Sequence, residues 1–399
     1  MKILQVNNKV PYPTKDGGAI ACMNMVKGFS QLGHDVTVLS MNTLKHHVSY
    51  AELPEEVKKT ADFRLVDVPA KISPLQAFFN LVFSKQPYNA VRFINADFAE
   101  TLERLLDEKK FDVIQLEGLY VCPYIPVIRK KTKALIVYRA HNIEYEIWER
   151  TAKISKGMRR FYLENLSKRI KRFEKFWLNA YDVLVPISTR DAGVLKALGN
   201  VRPSHVSQTG IDSSVLVPDA QHLEYPSLFH MGSMEWAPNQ EALLWFAECC
   251  WPRIHEKYPA LRFFVAGRNA PDWLKQKLVQ PNVEFIGEVD DAYSFMNSKA
   301  IMVVPLFSGS GMRIKIIEGM ALGKAIVTTP IGAEGIGVEN GKHLVIVDDE
   351  EGFVNAISSL VEDRKRFDEL RQNAVDFVRK NFDNLGAARR LIDFYKMFV

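Results

Sequence analysis

Short β-branched runs alternate with longer helical patterns along the whole of this 399-residue sequence. Strands that are separated by helices pair in parallel, and the helices then cover both faces of the sheet. The alternation therefore predicts an α/β protein built from doubly wound parallel sheets. Candidate strands begin at Ile3, Val36, Phe63, Val113, Leu135, Val183 and Val206, and in a second series at Leu228, Phe263, Val283, Ile301, Ala325 and Leu344.

A polar stretch at residues 212–227, which contains two prolines, divides the strands into these two series and is typical of a linker. The length also favours two domains. We predict an N-terminal domain over residues 1–218 and a C-terminal domain over 219–384, with a final helix at about 385–399 that packs back on the first domain. Ligands of doubly wound sheets bind beyond the carboxyl ends of the strands, so we expect the two domains to face a central cleft.

With 47% hydrophobic and 25% charged residues, the composition excludes a collagen, a coiled coil and a disordered chain. The four cysteines contain no Cys-x-x-Cys pair, which favours a reducing cytoplasm and disfavours zinc. Met1 is followed at once by a strand-like run, so we expect no signal peptide. A charge-free apolar stretch at residues 72–84 is shorter than the roughly 18–20 residues that span a bilayer. We therefore expect a cytoplasmic protein without a membrane span.

The net charge of +5 is placed unevenly, because residues 150–175 hold ten basic and two acidic side chains. Apolar residues recur in the same segment at steps of three and four, which indicates a helix with one apolar face. We predict that this basic amphipathic helix, residues 153–175, contacts an anionic surface, with a solvated face as the alternative. An anionic membrane at the inner membrane surface is favoured, and nucleic acid is disfavoured because aromatics are not interleaved on the charged face.

The strongest motif lies between a buried strand and a helix that is predicted to start near Met312. Successive backbone N–H groups in its Ser/Gly loop, at Ser310 and Gly311, can form a nest for an anion. Arg313 and Lys315 add two cations at the start of the helix, where cations are unfavourable unless an anion is bound. The motif therefore predicts a phosphate-type ligand.

Other residues of the second series extend this predicted site. Glu318 could accept hydrogen bonds from two vicinal ribose hydroxyls. Gly232 and Ser233 follow the first strand and could present backbone donors. Arg268 and Val289 follow the next two strands, whose glycine-containing ends are typical of a nucleobase slot. Together these positions predict a nucleotide-binding site in the C-terminal domain.

Two candidate positions lie in the N-terminal domain. Gly17 and Gly18 open a helix after the first strand, which allows close approach of an anion, although a tight turn is the alternative. The motif lacks the Gly-x-Gly-x-x-Gly pattern, which argues against a nicotinamide cofactor. His141 follows the strand that begins at Leu135, near Arg139 and Glu144, and could exchange a hydrogen bond with a substrate hydroxyl.

Taken together, these motifs are similar to those of GT-B-fold glycosyltransferases of family 4, which retain anomeric configuration and use nucleotide sugars. The resemblance covers nearly the whole chain and rests on the Gly17-Gly18 loop, the second strand at residues 33–39 and the signature at 305–330. It implies two Rossmann-like domains and transfer from a nucleoside-diphosphate sugar to an acceptor hydroxyl, with no metal or other cofactor. It also implies a glycan or lipid-linked acceptor, and a role in polysaccharide biosynthesis.

By this resemblance His141 contacts the donor sugar and Glu318 the ribose. Two departures from the family pattern concern the donor. Ser310 occupies the place of the first of two glutamates, and no Lys or Arg lies within residues 231–251, where the family carries its diphosphate ligands. We infer that Arg313 and Lys315 supply the missing charge.

Two other functions remain open. A nucleotide-sugar 2-epimerase shares the two-domain fold and would convert the donor without any acceptor, but it needs acid and base carboxylates in the cleft. A non-catalytic nucleotide-sugar-binding protein is compatible with Ser310 at a position that is usually Glu. It would bind the donor without turnover.

Overall fold

The computed structural model describes residues 1–14, 16–212, 215–309 and 312–399. The chain divides into unit 1, Met1–Gly210 with Asn384–Val399, and unit 2, Ile211–Asp383. The first division lies eight residues before the predicted boundary at 218. The reason is that the Ile211 N–H donates to the Phe382 carbonyl oxygen at 2.8 Å, so the chain already pairs with unit 2 at that point.

Unit 1 contains a six-stranded parallel sheet in the order β3-β2-β1-β4-β5-β6. The strand order reverses between β1 and β4, and ligands of such sheets bind beside this reversal. The strands are β1 (Lys2–Asn7), β2 (Asp35–Thr43), β3 (Asp62–Val68), β4 (Val113–Glu117), β5 (Leu135–Ala140) and β6 (Val183–Pro186).

Unit 2 repeats this topology with the order β12-β11-β10-β7-β8-β9, so its reversal lies between β7 and β10. Both sheets are parallel with flanking helices, which confirms the predicted doubly wound α/β architecture. The strands are β7 (Glu224–Met231), β8 (Phe263–Ala266), β9 (Val283–Gly287), β10 (Lys299–Val304), β11 (Ala325–Thr328) and β12 (Val345–Ile346).

The strand that was predicted to begin at Val206 does not form. Residues 203–207 run beside β6, where the Leu184 N–H donates to the Pro203 carbonyl oxygen and the Ser207 N–H to that of Pro186. Only an isolated bridge between Leu184 and Ser204 results. Pro203 has no N–H to donate, so a regular ladder stops there.

Helices connect the strands, and among the described residues none is both long and apolar enough to cross a membrane. The amphipathic helix predicted over residues 153–175 forms as α8, but it starts only at Gly157, because Lys153 belongs to α7 and the chain leaves the helical conformation between the two. The regularly spaced apolar residues of α8, Leu163 to Phe173, are buried. The helices are α1 (Gly17–Gln31), α2 (Glu55–Lys58), α3 (Pro74–Phe83), α4 (Tyr88–Val91), α5 (Ala96–Glu108), α6 (Ile125–Lys131), α7 (Glu144–Ile154), α8 (Gly157–Trp177), α9 (Thr189–Leu198), α10 (Ala237–Trp245), α11 (Trp251–Lys257), α12 (Asp272–Lys277), α13 (Ala292–Asn297), α14 (Ile314–Ala321), α15 (Glu350–Glu362), α16 (Arg364–Asn381) and α17 (Asn384–Tyr395).

The last helix, α17, belongs to unit 1 and packs directly on α1. Gly28 makes this approach possible, because a Cβ at that position would lie 2.7 Å from the Cβ of Ala388. The buried Tyr395 hydroxyl donates to Gln115 Oε1 in the middle of the sheet at 2.6 Å. The C-terminal segment thus completes the hydrophobic core on one face of the unit 1 sheet.

Candidate functional site

A cluster of charged side chains lies at the carboxyl ends of β4 and β5 in unit 1. The parallel register places Glu117 beside Arg139, and His141 follows directly after β5. His141 Nε2 is 2.5 Å from Glu117 Oε2, and Arg139 Nη1 is 3.2 Å from the same oxygen. The sheet therefore brings Glu117 together with two side chains that lie 22 and 24 residues later in the sequence.

Glu117 is ionised although its side chain is buried. Burial by itself would raise its pKa, but the Arg139 guanidinium and hydrogen bonds from His141 and Gln115 lower the pKa to about 2. An ionised carboxylate only accepts hydrogen bonds, so Nε2 of His141 carries a proton. Among the residues that the structure describes, Nδ1 of His141 has no hydrogen-bond partner. The free nitrogen is the atom of this cluster that can contact a substrate.

Cys22 on α1 adds a thiol to the cluster, 3.6 Å from Glu117 Oε2 and 3.8 Å from His141 Nε2. The three ligand-type atoms lie within 4.8 Å of one another, a spacing that could hold a metal ion. However, burial and the nearby Glu117 raise the pKa of the thiol well above its usual value, and Arg139 already neutralises the carboxylate. The charges therefore fit a hydrogen-bonded cluster better than a metal centre.

Gly17 and Gly18 begin α1, but the anion at this helix N-terminus is a side chain of the protein. Asp16 Oδ1 accepts a hydrogen bond from the Ala19 N–H at 3.0 Å and caps the helix. Lys9 Nζ lies 2.6 Å from both carboxylate oxygens of Asp16. A ligand anion would have to compete with this ion pair, which the sequence analysis did not identify.

In unit 2, the loops after β7 and β8 touch through their backbones. The Gly232 N–H donates to the Ala266 carbonyl oxygen at 3.2 Å, and a Cβ on Gly267 would lie only 2.0 Å from the carbonyl oxygen of Gly232. The Ser233 carbonyl oxygen accepts from Asn239 Nδ2 at 2.9 Å. Only glycine fits at position 267, which agrees with a close backbone approach at this edge of the sheet.

A cation and an aromatic ring meet beside the strand reversal of unit 2. Arg313 is the residue before α14, it is buried, and its guanidinium carbon lies 5.6 Å from the ring centroid of Trp236. Gly309 packs closely against both side chains, because a Cβ there would lie 2.8 Å from the Trp236 ring and 3.1 Å from Arg313 Nη2. Met312 is buried, while the predicted anion-binding residues Ser310 and Gly311 lie outside the described residues.

Glu318 is buried on α14 and already has two neighbours. The Tyr293 hydroxyl donates to Glu318 Oε1 at 2.9 Å, and Lys315 Nζ lies 3.2 Å from Oε2. Lys315 was predicted to face a diphosphate, whereas here its charge is paired with Glu318. A carboxylate has about four lone-pair positions, so Glu318 keeps capacity to accept from hydroxyls. Sequence reasoning missed Tyr293.

The remaining predicted donor contacts follow β8 and β9. Arg268 is half-buried, and its carbonyl oxygen accepts from the Met234 N–H at 3.0 Å. Its guanidinium forms no hydrogen bond or ion pair with any residue in the described part of the chain. Val289 is half-buried after β9. Arg268 is therefore a second cation that remains available at this edge of the sheet.

Two carboxyl groups lie close together near the His141 loop, that of Glu144 at the start of α7 and that of Glu174 on α8. Glu144 accepts from the Tyr120 hydroxyl at 2.8 Å, so its surroundings are those of a structural group. Glu174 on α8 accepts from the Glu144 N–H at 3.4 Å. Burial, followed by repulsion from Glu144, raises the pKa of Glu174 to about 8. The Glu174 carboxyl is therefore largely protonated at neutral pH.

Glu174→Gln should remove a pH-dependent loss of stability. Because the folded-state pKa lies above the ordinary value of 4.5, the folded protein holds a proton that the unfolded chain releases. Wild-type stability should fall as the pH rises from about 4.5 to about 8, by about 1.4 kcal/mol per pH unit from this group. Denaturant titrations at several pH values measure this pH dependence of the unfolding free energy. Glu164→Gln is the control, because Glu164 is exposed and paired with Arg160. Equal slopes for Glu174→Gln and the wild type would contradict the assignment.

Comparison with known proteins places the chain in a family. The family model described as Glycosyltransferase Family 4 matches residues 15–215, and the model described as Glycosyl transferases group 1 matches residues 225–363. The chain therefore belongs to glycosyltransferase family 4, as the sequence motifs indicated, and it has the GT-B fold.

Two curated proteins are similar to this chain over different lengths. An uncharacterised 44.6 kDa protein in the cps region of Klebsiella pneumoniae is 24% identical and covers 96% of the chain and 97% of that protein. A phosphatidyl-myo-inositol mannosyltransferase of Mycolicibacterium smegmatis is 30% identical over 31% of the chain and 33% of its own length.

Solved structures share the fold at low identity. HepE of Anabaena, solved in complex with UDP, has a TM-score of 0.72 and 15% identity, with 100% of both chains covered. Sucrose-phosphate synthase from Thermosynechococcus elongatus has a TM-score of 0.76 and 13% identity, with 100% and 99% covered.

Proposed function

We propose that this protein transfers a hexosyl group from a nucleoside-diphosphate sugar to an acceptor hydroxyl with retained anomeric configuration. One observation carries the proposal: Arg313 is buried against Trp236 at the N-terminus of α14. Trp236 and Arg313 follow β7 and β10, the strands at the reversal of the unit 2 sheet, where ligands of such sheets bind, and a guanidinium there can bind a diphosphate. The crystal structure of the similar protein HepE with UDP-glucose supports a nucleotide-sugar donor.

In this proposal the negative charge that develops on the leaving diphosphate identifies the residues that contribute most to catalysis. Breaking the bond from sugar C1 to the diphosphate oxygen leaves an oxocarbenium-like sugar and a more negative diphosphate. Arg313 would stabilise this leaving group most in the transition state. Arg268 or Lys315 would add to the effect on turning toward the donor. The acceptor oxygen bonds to C1, and its proton passes to the leaving phosphate oxygen, so no protein base is needed. We propose that the protein's own cations neutralise the diphosphate in place of a resident metal.

We assign the sugar contact to His141 and the ribose contact to Glu318. With its Nε2 proton held by Glu117, a neutral His141 can accept a hydrogen bond from a sugar hydroxyl through Nδ1. Glu117 acts through His141 and is a positioning residue. Ser310, Gly311 and Met312 would donate backbone hydrogen bonds to the diphosphate, and Gly232, Ser233 and Val289 would border the nucleotide. Gly17 and Gly18 keep a proposed role beside the donor.

The acceptor and the location are also proposals. We propose a glycan or lipid-linked acceptor and a cytoplasmic protein that contacts the inner membrane surface through the basic helix 153–175. A similar protein that is named phosphatidyl-myo-inositol mannosyltransferase supports a lipid-linked acceptor. A role in polysaccharide biosynthesis fits this acceptor class.

Glu318→Ala and Lys315→Ala should each weaken nucleoside-diphosphate binding. Hydrogen bonds to a charged group contribute about 1.5–3 kcal/mol, so the loss of Glu318 predicts roughly 10- to 100-fold weaker binding. Ligands that bind only the folded state raise its stability, so thermal shifts with uridine, guanosine and adenosine diphosphates measure the effect. Lys342→Ala is a matched control, because Lys342 pairs with Glu339 on the exposed surface of unit 2. Wild-type shifts in both site variants would remove these residues from the site.

A transfer assay separates the proposal from its alternatives. The protein is incubated with a nucleotide sugar that it binds, and nucleoside diphosphate should be released only when an acceptor is present. The release should be the same with and without a chelator. Conversion of the donor without acceptor would favour a 2-epimerase, and binding without turnover would favour a non-catalytic binding protein. Activity that is lost on chelation and restored by a divalent metal would contradict the metal-free mechanism.

A further inference from the structure

Helix α3 (Pro74–Phe83) turns its apolar side to solvent. None of its ten residues is buried. Its large apolar residues occur at the i, i+3, i+4, i+7 and i+8 spacing that normally forms the core-facing side of a helix. These side chains are nevertheless between 52% and 80% exposed: Leu75, Phe78, Phe79, Val82 and Phe83.

The opposite side of α3 is hydrogen-bonded to other elements of unit 1, and these bonds hold the apolar side toward solvent. Arg169 on α8 donates from Nη1 to the Asn80 carbonyl oxygen at 3.1 Å and from Nη2 to the Leu81 carbonyl oxygen at 2.6 Å. At the other end, the Ser73 N–H donates to the Tyr88 hydroxyl at 3.0 Å. Helix geometry places residues 77, 80 and 81 opposite the apolar side. Turning that side inward would break these bonds.

Basic residues predominate around α3, and Glu164 on α8 is paired with Arg160 at 2.8 Å. No acidic residue occurs between Asp67 and Asp97, a segment that carries three basic residues. On the neighbouring α8, the exposed Lys168 and Arg172 lie on the same helical face as Phe161, which is itself exposed. An apolar helix bordered by cations matches the interface of an anionic bilayer, where apolar side chains enter the acyl boundary and cations meet phosphates.

We propose that α3 and the exposed basic face of α8 form a docking surface for an anionic lipid membrane. The proposal goes beyond the basic helix 153–175, because it makes α3 the element that enters the lipid, and it does not depend on the transferase reaction. A second copy of this chain is disfavoured as the occupant, because the two surfaces would carry the same positive charge.

Vesicle co-sedimentation with the full chain tests this surface. The protein should bind phosphatidylcholine vesicles that contain phosphatidylserine, bind pure phosphatidylcholine much more weakly, and lose binding at high salt. The double variant Phe79→Ser/Phe83→Ser should bind roughly a hundredfold more weakly, because two buried aromatic side chains are lost. Lys168→Glu/Arg172→Glu should weaken binding in the same direction. Val201→Ser, an exposed apolar position elsewhere in unit 1, is the matched control and should bind like the wild type.

The changed residues are exposed, so the variants should keep wild-type melting temperatures and nucleotide-induced thermal shifts. Unchanged vesicle binding by Phe79→Ser/Phe83→Ser would overturn the role of α3. Absence of wild-type binding to anionic vesicles would overturn the whole surface, and binding of an acidic amphipathic peptide in that case would assign it to a protein partner. Absence of nucleotide-induced thermal shifts in the wild type would instead contradict the proposed function. It would not affect the conclusion from vesicle binding.

Discussion

His141→Ala should lower kcat by roughly 10²–10³-fold, because hydrogen bonds to sugar hydroxyls that strengthen in an oxocarbenium-like transition state contribute several kcal/mol. His141 offers Nδ1, while its Nε2 is held by the ionised Glu117 at 2.5 Å. Because that geometry is fixed before any substrate binds, the loss should fall mainly on kcat and less on donor affinity. Steady-state kinetics with the cognate donor and acceptor measure both quantities.

His47→Ala is the matched control for this prediction. His47 Nε2 lies 3.6 Å from Asp67 Oδ1, so it forms a comparable His–carboxylate pair in unit 1, but both side chains are exposed. The control should keep wild-type kinetics. Glu117→Gln should show part of the His141→Ala defect, because a neutral amide orients the imidazole less strongly. Wild-type kcat in His141→Ala would exclude His141 from the reaction.

Arg313→Ala should lower kcat/KM by roughly 10²–10³-fold, because the guanidinium would stabilise the diphosphate charge that develops in the transition state. Arg313→Lys should recover only part of this loss, since lysine keeps the charge but lacks the planar, bidentate donor group that lies beside the Trp236 ring. The same kinetic assay, together with nucleoside-diphosphate titrations, separates the effect on catalysis from the effect on ground-state binding.

Arg364→Ala is the control for removing an arginine side chain that packs against an aromatic ring. Arg364 lies 4.3 Å from the ring centroid of Tyr225 in the same unit, and it lies away from the carboxyl edge of the sheet at the start of α16. Its removal should leave kcat/KM unchanged. If Arg313→Ala and Arg364→Ala gave equal kinetics, Arg313 would be a packing residue and the proposed diphosphate contact would be wrong.

Much of the architecture was predictable because it depends on local patterns. The alternation of strand and helix patterns predicted twelve strands that form, and the three- and four-residue spacing predicted α8. The strand predicted at Val206 does not form. Apolar alternation suggests a strand, but a ladder also needs a partner and a free N–H, which Pro203 lacks.

The sequence also indicated where the site residues lie, but not what they touch. His141 was identified from its place at a strand end, whereas its pairing with Glu117 follows from β4 and β5 being neighbours in the sheet. The positions of Arg313 and Lys315 were likewise evident. That Lys315 pairs with Glu318 while Arg313 lies over Trp236 depends on how the loops after β7 and β10 pack.

The sequence by itself determined the fold class and the family, because both rest on periodicity and on motifs within short stretches of chain. Only the tertiary structure decided which charges are paired and which way an apolar helix faces. The sequence pattern alone leaves the apolar stretch at residues 72–84 compatible with a core or with an exposed position. The contacts of Arg169 with the Asn80 and Leu81 carbonyl oxygens direct its apolar side outward, and those partners lie almost ninety residues apart along the chain.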